Sequence, residues 1–363
     1  MRVFAEHRRR ARGRLWDAAS LLTTPLLPDD FLGLVNPLWS RRQLAGRVVA
    51  VRHETADSAT IAIRPGAGWR DHRAGQHVTV GVEVDGVRHQ RSYSLTSPPR
   101  AADGCIAITV KAVRDGVVSS HLVRRTSPGT VVYLGEATGD FVLPDDGSER
   151  LLFITAGSGV TPVMGMLRTL ARSHAPRDVT VVHIDREPDS VIFAGELRRL
   201  AGQRRLALHE HHTSRLGRPS AAAIVGLVRD WRQRETWACG PGELLDGLEA
   251  HFTASGARSR LRTERFQSSV AAGAGAAAAP GGSVTFTRSG VTVNADGATT
   301  LLAAGEAAGA LLPSGCRAGV CRTCVGPLRA GFVRDLRTGA VGAPGDMVQT
   351  CVSVAAGPVE IEL

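Results

Sequence analysis

The sequence predicts a multidomain protein: a six-stranded antiparallel β-barrel, an α/β domain with a five-stranded parallel sheet, and a small α+β module. Three observations carry this prediction. Short runs rich in Val, Ile and Thr, separated by turn signals, fill residues 46–144. Strand-like runs alternate with helical patterns over residues 150–264. An uncharged, Ala- and Gly-rich segment then precedes a last hairpin and helix.

The chain of 363 residues is long enough for two or three domains. We expect five segments, with these boundaries: an N-terminal extension at 1–42, the barrel at 43–146, the α/β domain at 147–266, a linker at 267–282 and the C-terminal module at 283–363. The extension contains a basic stretch from Arg8 to Leu22, interpreted as a helix. It is expected to pack as a strap on the barrel or to contact a membrane-bound partner.

The composition excludes some classes of function. The net charge of +10 comes from arginine, since Lys111 is the only lysine among 44 basic residues. No aromatic residues are interleaved with the basic run Arg8–Arg10 near the N-terminus, so a nucleic-acid-binding arm is not expected. No apolar run approaches the roughly 18 residues of a membrane span, and no cleavage site follows the basic N-terminus. The expected location is the cytoplasm, with peripheral contact at the inner face of the membrane left open.

Four cysteines near the end of the chain have the spacing C-x4-C-x2-C, with the fourth after 26 further positions. This is the plant-type [2Fe–2S] spacing, in which four thiolates hold two irons. Structural zinc and a disulfide framework match less well, because only one short cysteine pair exists and no secretion signal is present. The predicted metal ligands are Cys316, Cys321, Cys324 and Cys351.

A polar run ends the fourth predicted strand of the barrel, at residues 91–97. An Arg fork can clamp a pyrophosphate, a Tyr ring can stack on isoalloxazine, and a Ser hydroxyl can donate to flavin N5. A Gly-containing turn into a short helix follows at 116–122 and can offer N–H groups to a phosphate. The predicted flavin-binding residues are Arg91, Ser92, Tyr93, Ser94, Gly116, Val118, Ser119 and Ser120.

Two glycine-containing loops follow strands of the α/β domain. Ligands of open α/β sheets bind outside the carboxyl ends of the strands, so both loops are expected to line one crevice. The first loop is not a full G-x-G-x-x-G, and a buried structural Cys239 remains the plainer interpretation of the second. The predicted nucleotide-binding residues are Gly157, Ser158, Gly159, Thr161, Cys239, Gly240 and Pro241.

These motifs occur in the order seen in the ferredoxin–NADP⁺ reductase superfamily, with a plant-type ferredoxin domain after them. Over residues 43–363 the chain resembles bacterial three-module oxygenase and desaturase reductases, which implies that the C-terminal module is a β-grasp ferredoxin. Residues 24–40 are similar to actinobacterial reductases that serve membrane-bound stearoyl-CoA-type acyl desaturases.

The resemblance implies roles for individual residues. Arg91 would bind the FAD pyrophosphate, Tyr93 would stack on the flavin, and Ser94 would lie near N5. Cys239 would lie beside the nicotinamide, so Ser94 and Cys239 are the catalytic candidates. Glu264 and Phe266 resemble the acid and aromatic that end the chain near the flavin in the family, although here a linker follows them.

The choice of cofactor depends on charged residues after the second and third strands of the α/β domain. Asp185 would favour NADH through the ribose hydroxyls. Arg186, Arg215 and Arg218 would instead hold a 2′-phosphate, and they favour NADPH, with NADH left open. FAD is favoured over FMN because the turn at 116–120 fits a pyrophosphate.

The expected function is NAD(P)H-dependent electron transfer through a flavin and a [2Fe–2S] cluster to an oxygen-activating di-iron acyl desaturase. The first alternative is a reductase for a ring-hydroxylating or other terminal oxygenase. Alternatives of other classes are a non-enzymatic redox sensor and a zinc-binding interaction module. The linker is expected to let the ferredoxin module move between the flavin and the acceptor.

Overall fold

The structure is a computed structural model. It describes residues 35–40, 43–84, 87–114, 116–144, 149–173, 177–266, 280–315, 317, 319, 322–336 and 339–363. The chain divides into two compact units, one made of residues up to 82 with 93–265 and the other of residues 83–92 with 266–363. Most of the N-terminal extension, most of the predicted linker, Cys316 and Cys321 lie outside the described residues.

The barrel has the six predicted strands. They are β1 (Ala45–Thr55), β2 (Ser58–Pro65), β3 (His77–Val84), β4 (Val87–Ser94), β5 (Ile106–Lys111) and β6 (Val131–Thr138), with helix α1 (Val117–Arg124) between the last two. Their order is β4-β3-β6-β1-β2-β5. A bridge between Leu95 and Ile108 joins the end of β4 to β5, so the sheet closes on itself. Alternating apolar side chains such as Ile61 and Ile63 fill the interior.

The α/β domain follows the predicted alternation. Its elements are β7 (Arg150–Ala156), α2 (Val160–Arg172), β8 (Asp178–Asp185), α3 (Ala194–Gly202), β9 (Ala207–His212), α4 (Thr213–Leu216), α5 (Ala221–Gly226), β10 (Glu235–Cys239), α6 (Gly242–Ala254) and β11 (Leu261–Glu264). The strands pair in parallel, in the order β11-β10-β7-β8-β9. One core lies under α2 and α3, and a second lies under α5 and α6 on the other face.

Burial explains why the central strand β7 is a nearly continuous apolar run. Helices cover both faces of the sheet, so successive side chains such as Phe153 and Ile154 are both fully buried. The short helix α4 was not predicted, because four residues cannot show a helical period. Single 3₁₀ turns occur at Pro37–Trp39, Gly157–Gly159, Pro188–Ser190, Trp231–Gln233 and Arg258–Arg260.

The C-terminal module is a mixed sheet crossed by one helix, as predicted for a β-grasp ferredoxin. Its elements are β12 (Gly282–Phe286), β13 (Val291–Ala295), α7 (Leu301–Ala307), β14 (Val325–Ala330), β15 (Val333–Asp335), β16 (Val341–Gly342), β17 (Met347–Gln349), β18 (Ser353–Ala355) and β19 (Val359–Ile361). The main sheet has the order β13-β12-β19-β14-β17, and β16-β15-β18 form a smaller one. Phe286 and Leu301 are fully buried between helix and sheet.

The described residues include no helix that is both long enough and apolar enough to cross a membrane.

Candidate functional site

The parallel sheet has its topological switch point between β7 and β10. From β7 the chain passes to α2 on one face, and from β10 it passes to α6 on the other. The loops that leave these two strands therefore lead to opposite faces of the sheet, and a ligand-binding crevice is expected between them at its carboxyl edge. Thr155 and Cys239 are paired in the sheet register just before the two loops.

The two glycine loops approach each other so closely that side chains would not fit. A Cβ on Gly159 would fall on the carbonyl of Cys239 and lie 3.0 Å from the amide nitrogen of Gly240. Gly157 has φ +53°, a left-handed conformation that favours glycine. Thr161 Oγ1 donates to the Ser158 carbonyl at 2.9 Å and closes the turn. The loops thus form one backbone-lined crevice, and α2 starts directly behind it.

Cys239 is fully buried at the end of β10, and Glu264 lies beside it on β11. Burial raises the pKa of the Cys239 thiol well above its usual value, and the Glu264 carboxylate adds to the rise. Burial also raises the pKa of Glu264 to about 7, with a smaller contribution from Asp140. Cys239 is therefore a neutral thiol at physiological pH, which suits a packing contact and not a nucleophile.

Asp185, at the end of β8, is turned inward. It is 7% exposed. Its Oδ1 accepts hydrogen bonds from the Arg186 amide and from Ser190 Oγ, both at 2.6 Å. Its Oδ2 lies 3.7 Å from His183 Nε2 and, within the described part of the chain, has no hydrogen-bond partner. Although burial opposes ionisation, the neighbouring His183 and the hydrogen bonds from Ser190 and the Arg186 amide lower the pKa of Asp185, which stays an anion.

Exposed arginines lie just after the ends of strands β8 and β9. Arg186 follows β8 and Arg215 lies in α4 after β9, and both are exposed. The Ser214 amide donates to the Arg186 carbonyl at 3.1 Å, so the two segments are neighbours. No carboxylate of the described residues pairs with Arg186 or Arg215, whereas Arg218 contacts Glu243 at 3.1 Å.

The end of β4 is a buried polar corner of the barrel. Ser94 is 5% exposed, and Tyr93 is half-buried. The Leu95 amide donates to the Gln76 carbonyl at 2.9 Å and the Thr96 amide to the Ala107 carbonyl at 2.8 Å. These bonds hold the backbone that carries the predicted flavin contacts.

Other predicted flavin residues lie at the start of α1. Gly116 is its N-cap, and a Cβ there would fall on Val113 Cγ2 and lie 2.5 Å from Ser119 Oγ. Ser119 Oγ accepts from the Val113 amide at 3.2 Å, which fixes the turn. Val118 is buried and Ser120 is half-buried. A helix N-terminus with no side chain at its cap fits a phosphate group.

Arg91 of the flavin motif belongs to the second compact unit, as does Ser92. The Arg91 guanidinium is half-buried, and its Nη1 donates to the carbonyls of Gln90 at 2.7 Å and Gly315 at 3.1 Å. Phe266, also in the second unit, is 40% exposed. The flavin roles of these residues stay predictions.

In the C-terminal module two predicted ligands come together. Cys324 and Cys351 are 1% and 3% exposed and share one apolar cluster. The Cys324 carbonyl accepts from the Thr350 amide at 3.1 Å and from Thr350 Oγ1 at 2.9 Å, which ties the two segments. Two neighbouring buried thiols, one of which directly follows a loop with left-handed residues, fit a cluster ligated by cysteine. The other predicted ligands, Cys316 and Cys321, lie outside the described residues.

Sequence reasoning missed the residues that join the barrel to α2. A Cβ on Gly165 would lie 2.5 Å from the Leu95 carbonyl oxygen. Arg168 Nη1 donates to the Thr96 carbonyl at 2.8 Å, and its other nitrogens pair with Glu196. An isolated glycine inside a helical pattern was the one available signal, since such a residue often marks close packing.

Family models match all three modules in the predicted order. An oxidoreductase FAD-binding domain matches residues 69–142, an oxidoreductase NAD-binding domain matches 153–247, and a 2Fe-2S iron-sulfur cluster binding domain matches 284–356. These matches support the predicted cofactor classes: a flavin, a nicotinamide nucleotide and a [2Fe–2S] cluster.

Several relatives align with this chain over most of both lengths. An NADPH oxidoreductase of Mycobacterium tuberculosis is 49% identical over 95% of this chain and 91% of its own length. A glycine betaine monooxygenase reductase subunit of Pseudomonas aeruginosa is 28% identical over 93% of this chain and all of its own. The solved structure of phthalate dioxygenase reductase has a TM-score of 0.61 at 21% identity, over 88% of this chain and 98% of that one.

Proposed function

We propose, since the chain belongs to the family of ferredoxin-reductase-type flavoproteins with a C-terminal [2Fe–2S] ferredoxin domain, that it takes its electrons from NADPH and delivers them to a membrane-bound acyl desaturase. Its membership makes it an oxidoreductase with FAD-, NAD- and [2Fe–2S]-binding modules. The preference for NADPH, the individual site residues and the acceptor are the proposed parts.

The crevice at the switch point carries the proposal for the nucleotide. Gly159 allows the α2 loop to lie against the Cys239 carbonyl, which leaves backbone and not side chains to face a ligand. Gly157 to Thr161 would hold the nucleotide at the start of α2. When bound, the flavin accepts a hydride from the nucleotide and supplies single electrons to the cluster.

The protein residues orient the reactants and exclude water. Ser94 and Tyr93 would contact the flavin ring at the end of β4, and Gly116, Val118 and Ser119 would hold its pyrophosphate at the start of α1. Cys239, as a buried neutral thiol, would provide an apolar wall beside the nicotinamide. No acid or base of the protein is required for the hydride step itself, so orientation determines the rate.

The preference for NADPH rests on the charges at the ends of β8 and β9. Asp185 is buried and its Oδ1 is bound by its own turn, so it presents little carboxylate surface to a ribose. Arg186 and Arg215 are exposed at the same edge. A guanidinium pair attracts a 2′-phosphate and gives no comparable advantage to a 2′-hydroxyl.

An anaerobic titration with NADPH and, separately, NADH tests this assignment. NADPH is expected to bleach the flavin and cluster absorbance bands at a lower concentration than NADH. Arg186→Ala and Arg215→Ala are each expected to lower kcat/KM for NADPH by about 10- to 100-fold, the effect of losing a charged hydrogen bond. The value for NADH should stay within about 2-fold under the same reasoning.

Arg232→Ala is the matched control, because Arg232 is an exposed arginine just before β10, at the opposite edge of the sheet. This variant should leave kcat/KM unchanged for both NADPH and NADH. Equal use of NADH and NADPH by the unmodified protein would refute the preference, and a protein without flavin or cluster bands would refute the whole assignment.

The acyl desaturase is proposed from the similarity of residues 24–40 to reductases that serve such enzymes. The second candidate is a terminal oxygenase, which is favoured by relatives named as a glycine betaine monooxygenase reductase subunit and the ferredoxin reductase component of a 3-ketosteroid-9-alpha-monooxygenase. Both acceptors activate oxygen at iron and need low-potential electrons, which a plant-type cluster near about −400 mV can supply.

The two candidates differ in what they require of the N-terminal extension. With a desaturase in membrane vesicles, deletion of residues 1–42 should abolish coupled desaturation while NADPH-dependent ferricyanide reduction is retained. Desaturation that continues at the same rate without the extension would argue against this acceptor and favour the oxygenase.

A further inference from the structure

Two residues on one face of α2 contact the backbone that directly follows β4. The Gly165 backbone packs against the Leu95 carbonyl, and Arg168 donates from Nη1 to the Thr96 carbonyl at 2.8 Å. Spacing of three residues places both on one helix face. The two carbonyls that they contact are the next ones in the chain after Ser94.

Arg168 is itself held in place on α3. Its Nε and Nη2 donate to the two carboxylate oxygens of Glu196 at 3.0 and 2.6 Å. Its guanidinium carbon lies 5.0 Å from the centre of the Phe193 ring. The side chains of Arg168 and Glu196 are only 18% and 20% exposed, so the bidentate pair is shielded from water. Burial alone would raise the pKa of Glu196, but the hydrogen bond from Arg168 and the nearby arginine charges together outweigh it and lower that pKa, so the pair stays ionised.

Helix α2 also carries the nucleotide loop at its N-terminus. Residues 157–161 lead into α2, and Gly165 and Arg168 follow one and two turns later. The same rigid helix therefore connects the loop that would hold the nicotinamide with the backbone that carries Ser94. Its position against β4 sets the separation of the two reactants, and a displacement of about 1 Å can cost about 10²-fold in rate.

We infer that Arg168 is a positioning residue for hydride transfer, fixed by Glu196 and acting through the Thr96 carbonyl on the flavin-contacting end of β4. This inference rests on the proposed function, because it takes Ser94 and residues 157–161 as the contacts of the two reactants. Arg168 touches neither reactant, and its effect is carried by the backbone of residues 94–97.

The test compares Arg168→Gln and Glu196→Gln with Arg198→Gln in the full-length holoprotein. Arg198 makes a similar bidentate pair, to Glu210 at 2.9 Å for both bonds, but it joins α3 to β9 and not to β4. Flavin reduction is followed after rapid anaerobic mixing with NADPH over a range of concentrations. This separates the limiting rate of reduction from the Kd for NADPH.

Arg168→Gln is expected to lower the limiting rate by about 10- to 100-fold and Glu196→Gln by about 3- to 10-fold, with the Kd for NADPH changed by less than about 2-fold. Arg198→Gln should leave both unchanged. Glu196→Gln keeps the size of the side chain, so it remains informative if Arg168→Gln does not fold.

A second measurement does not depend on activity. Hydrogen exchange of the peptide covering residues 93–98 should become at least about 5-fold faster in Arg168→Gln, because the protected amides of Leu95 and Thr96 lose their support. Exchange elsewhere in the first unit should not change, and Arg198→Gln should resemble the unmodified protein. A merely structural role would instead raise exchange throughout the unit.

The outcomes are distinguishable. An unmodified protein whose flavin neither nucleotide reduces would overturn the proposed function and this inference with it. Normal reduction of the unmodified protein, with an unchanged limiting rate in both Arg168→Gln and Glu196→Gln, would overturn the inference alone. The inference would also be overturned if the two variants raised only the Kd for NADPH. It would be overturned as well if Arg198→Gln lowered the limiting rate as much as Arg168→Gln does.

Discussion

The nucleotide crevice and the cluster loop are built in different ways. The crevice is made of backbone, since Gly159 lies against Cys239 at a distance that excludes even a methyl group. The cluster loop is defined by side chains, because its expected function depends on four thiolates. The comparison teaches that a ligand held by backbone is sensitive to added volume, whereas a ligand held by side chains is sensitive to the loss of particular atoms.

The two regions also differ in how they reach the left-handed conformation. In the crevice this position is a glycine, Gly157, with φ +53°. In the cluster loop Gly319 also adopts it, with φ +71°, but so do Arg317 and Arg322, both with φ +55°. Such a conformation costs roughly 1–3 kcal/mol for a residue with a side chain, so the surroundings must impose it. Arg317 is held by two bonds to Glu306, at 2.7 and 2.6 Å. The crevice is thus intrinsically relaxed, while the cluster loop depends on its contacts.

We expect the largest effect, a loss of the iron–sulfur cluster, when one of its cysteine ligands is replaced. Cys324→Ser or Cys351→Ser should reduce the iron content and the visible cluster absorbance to roughly a tenth or less, because a serine hydroxyl is a poor ligand for this cluster. NADPH-dependent ferricyanide reduction should remain, since it can proceed from the flavin. Iron analysis, visible spectra and electron paramagnetic resonance of the reduced protein provide the measurement.

Cys105→Ser is the matched control for this experiment. Cys105 is also buried, at 7% exposure, but it lies beside Asp103 in the barrel with no cysteine motif around it. It should keep a full cluster. Full cluster content in both ligand variants would contradict the assignment of Cys324 and Cys351.

We expect the second-largest effect, a loss of affinity for NADPH, when a side chain is added in the nucleotide crevice. Gly159→Ala places a methyl group on the Cys239 carbonyl, so one loop must move. We expect the affinity for NADPH to fall by about 10- to 100-fold, because a displaced loop would lose one or two hydrogen bonds to the charged nucleotide, each worth about 1.5 kcal/mol. Flavin content and the cluster spectrum should not change. The Kd is measured by difference spectroscopy with the oxidised protein.

Gly195→Ala serves as the control, because Gly195 lies in α3 and a Cβ there meets nothing within 4 Å. It should leave the affinity unchanged and add about 0.5–1 kcal/mol of stability through helix propensity. An unchanged affinity in Gly159→Ala would mean that the nucleotide does not bind between these loops.

The same comparison explains what the sequence could and could not predict. The order of strands and helices was predictable, since burial on both faces makes β7 a nearly continuous apolar run and β8 a run rich in Val and Ile, and a glycine follows β7. The strands β14 to β17 were not identified individually, because they are two to six residues long and the first three contain Gly, Pro or Arg. Short strands in a small sheet give too few residues for a period of two.

Individual contacts were harder to predict than motifs. The spacing of Cys324 and Cys351 indicates their chemistry because ligand type and interval are both specific. Nothing in the sequence indicates that Arg168 reaches Glu196, 28 positions away, and the Thr96 carbonyl, 72 positions away. Likewise, the acidic residue at 185 suggested a ribose contact, whereas the structure shows its Oδ1 bound to Ser190 and to its own turn. Such outcomes depend on tertiary packing, which a local pattern does not contain.

The smallest expected effect concerns the ionisable group beside the crevice. Burial raises the pKa of Glu264 to about 7 from an ordinary value of 4.5. A carboxyl whose pKa is raised by folding stabilises the protein fully below about pH 4.5, and this contribution is lost as the pH rises through about 7. Glu264→Gln keeps a neutral group at every pH, so its unfolding midpoint should exceed that of the unmodified protein by a few °C at pH 8, with little difference at pH 5.

Tryptophan fluorescence reports on the first unit, because all five tryptophans precede residue 240 in the sequence and the four within the described residues belong to that unit. Thermal unfolding is followed at both pH values with saturating FAD. Glu243→Gln is the control, since Glu243 is an exposed acid, 86% accessible, and should give the same midpoint difference at both pH values. If the midpoint difference for Glu264→Gln is also independent of pH, Glu264 is ionised throughout this range. In that case the crevice tolerates a charge next to Cys239, and its insensitivity to charge would contrast with its sensitivity to volume.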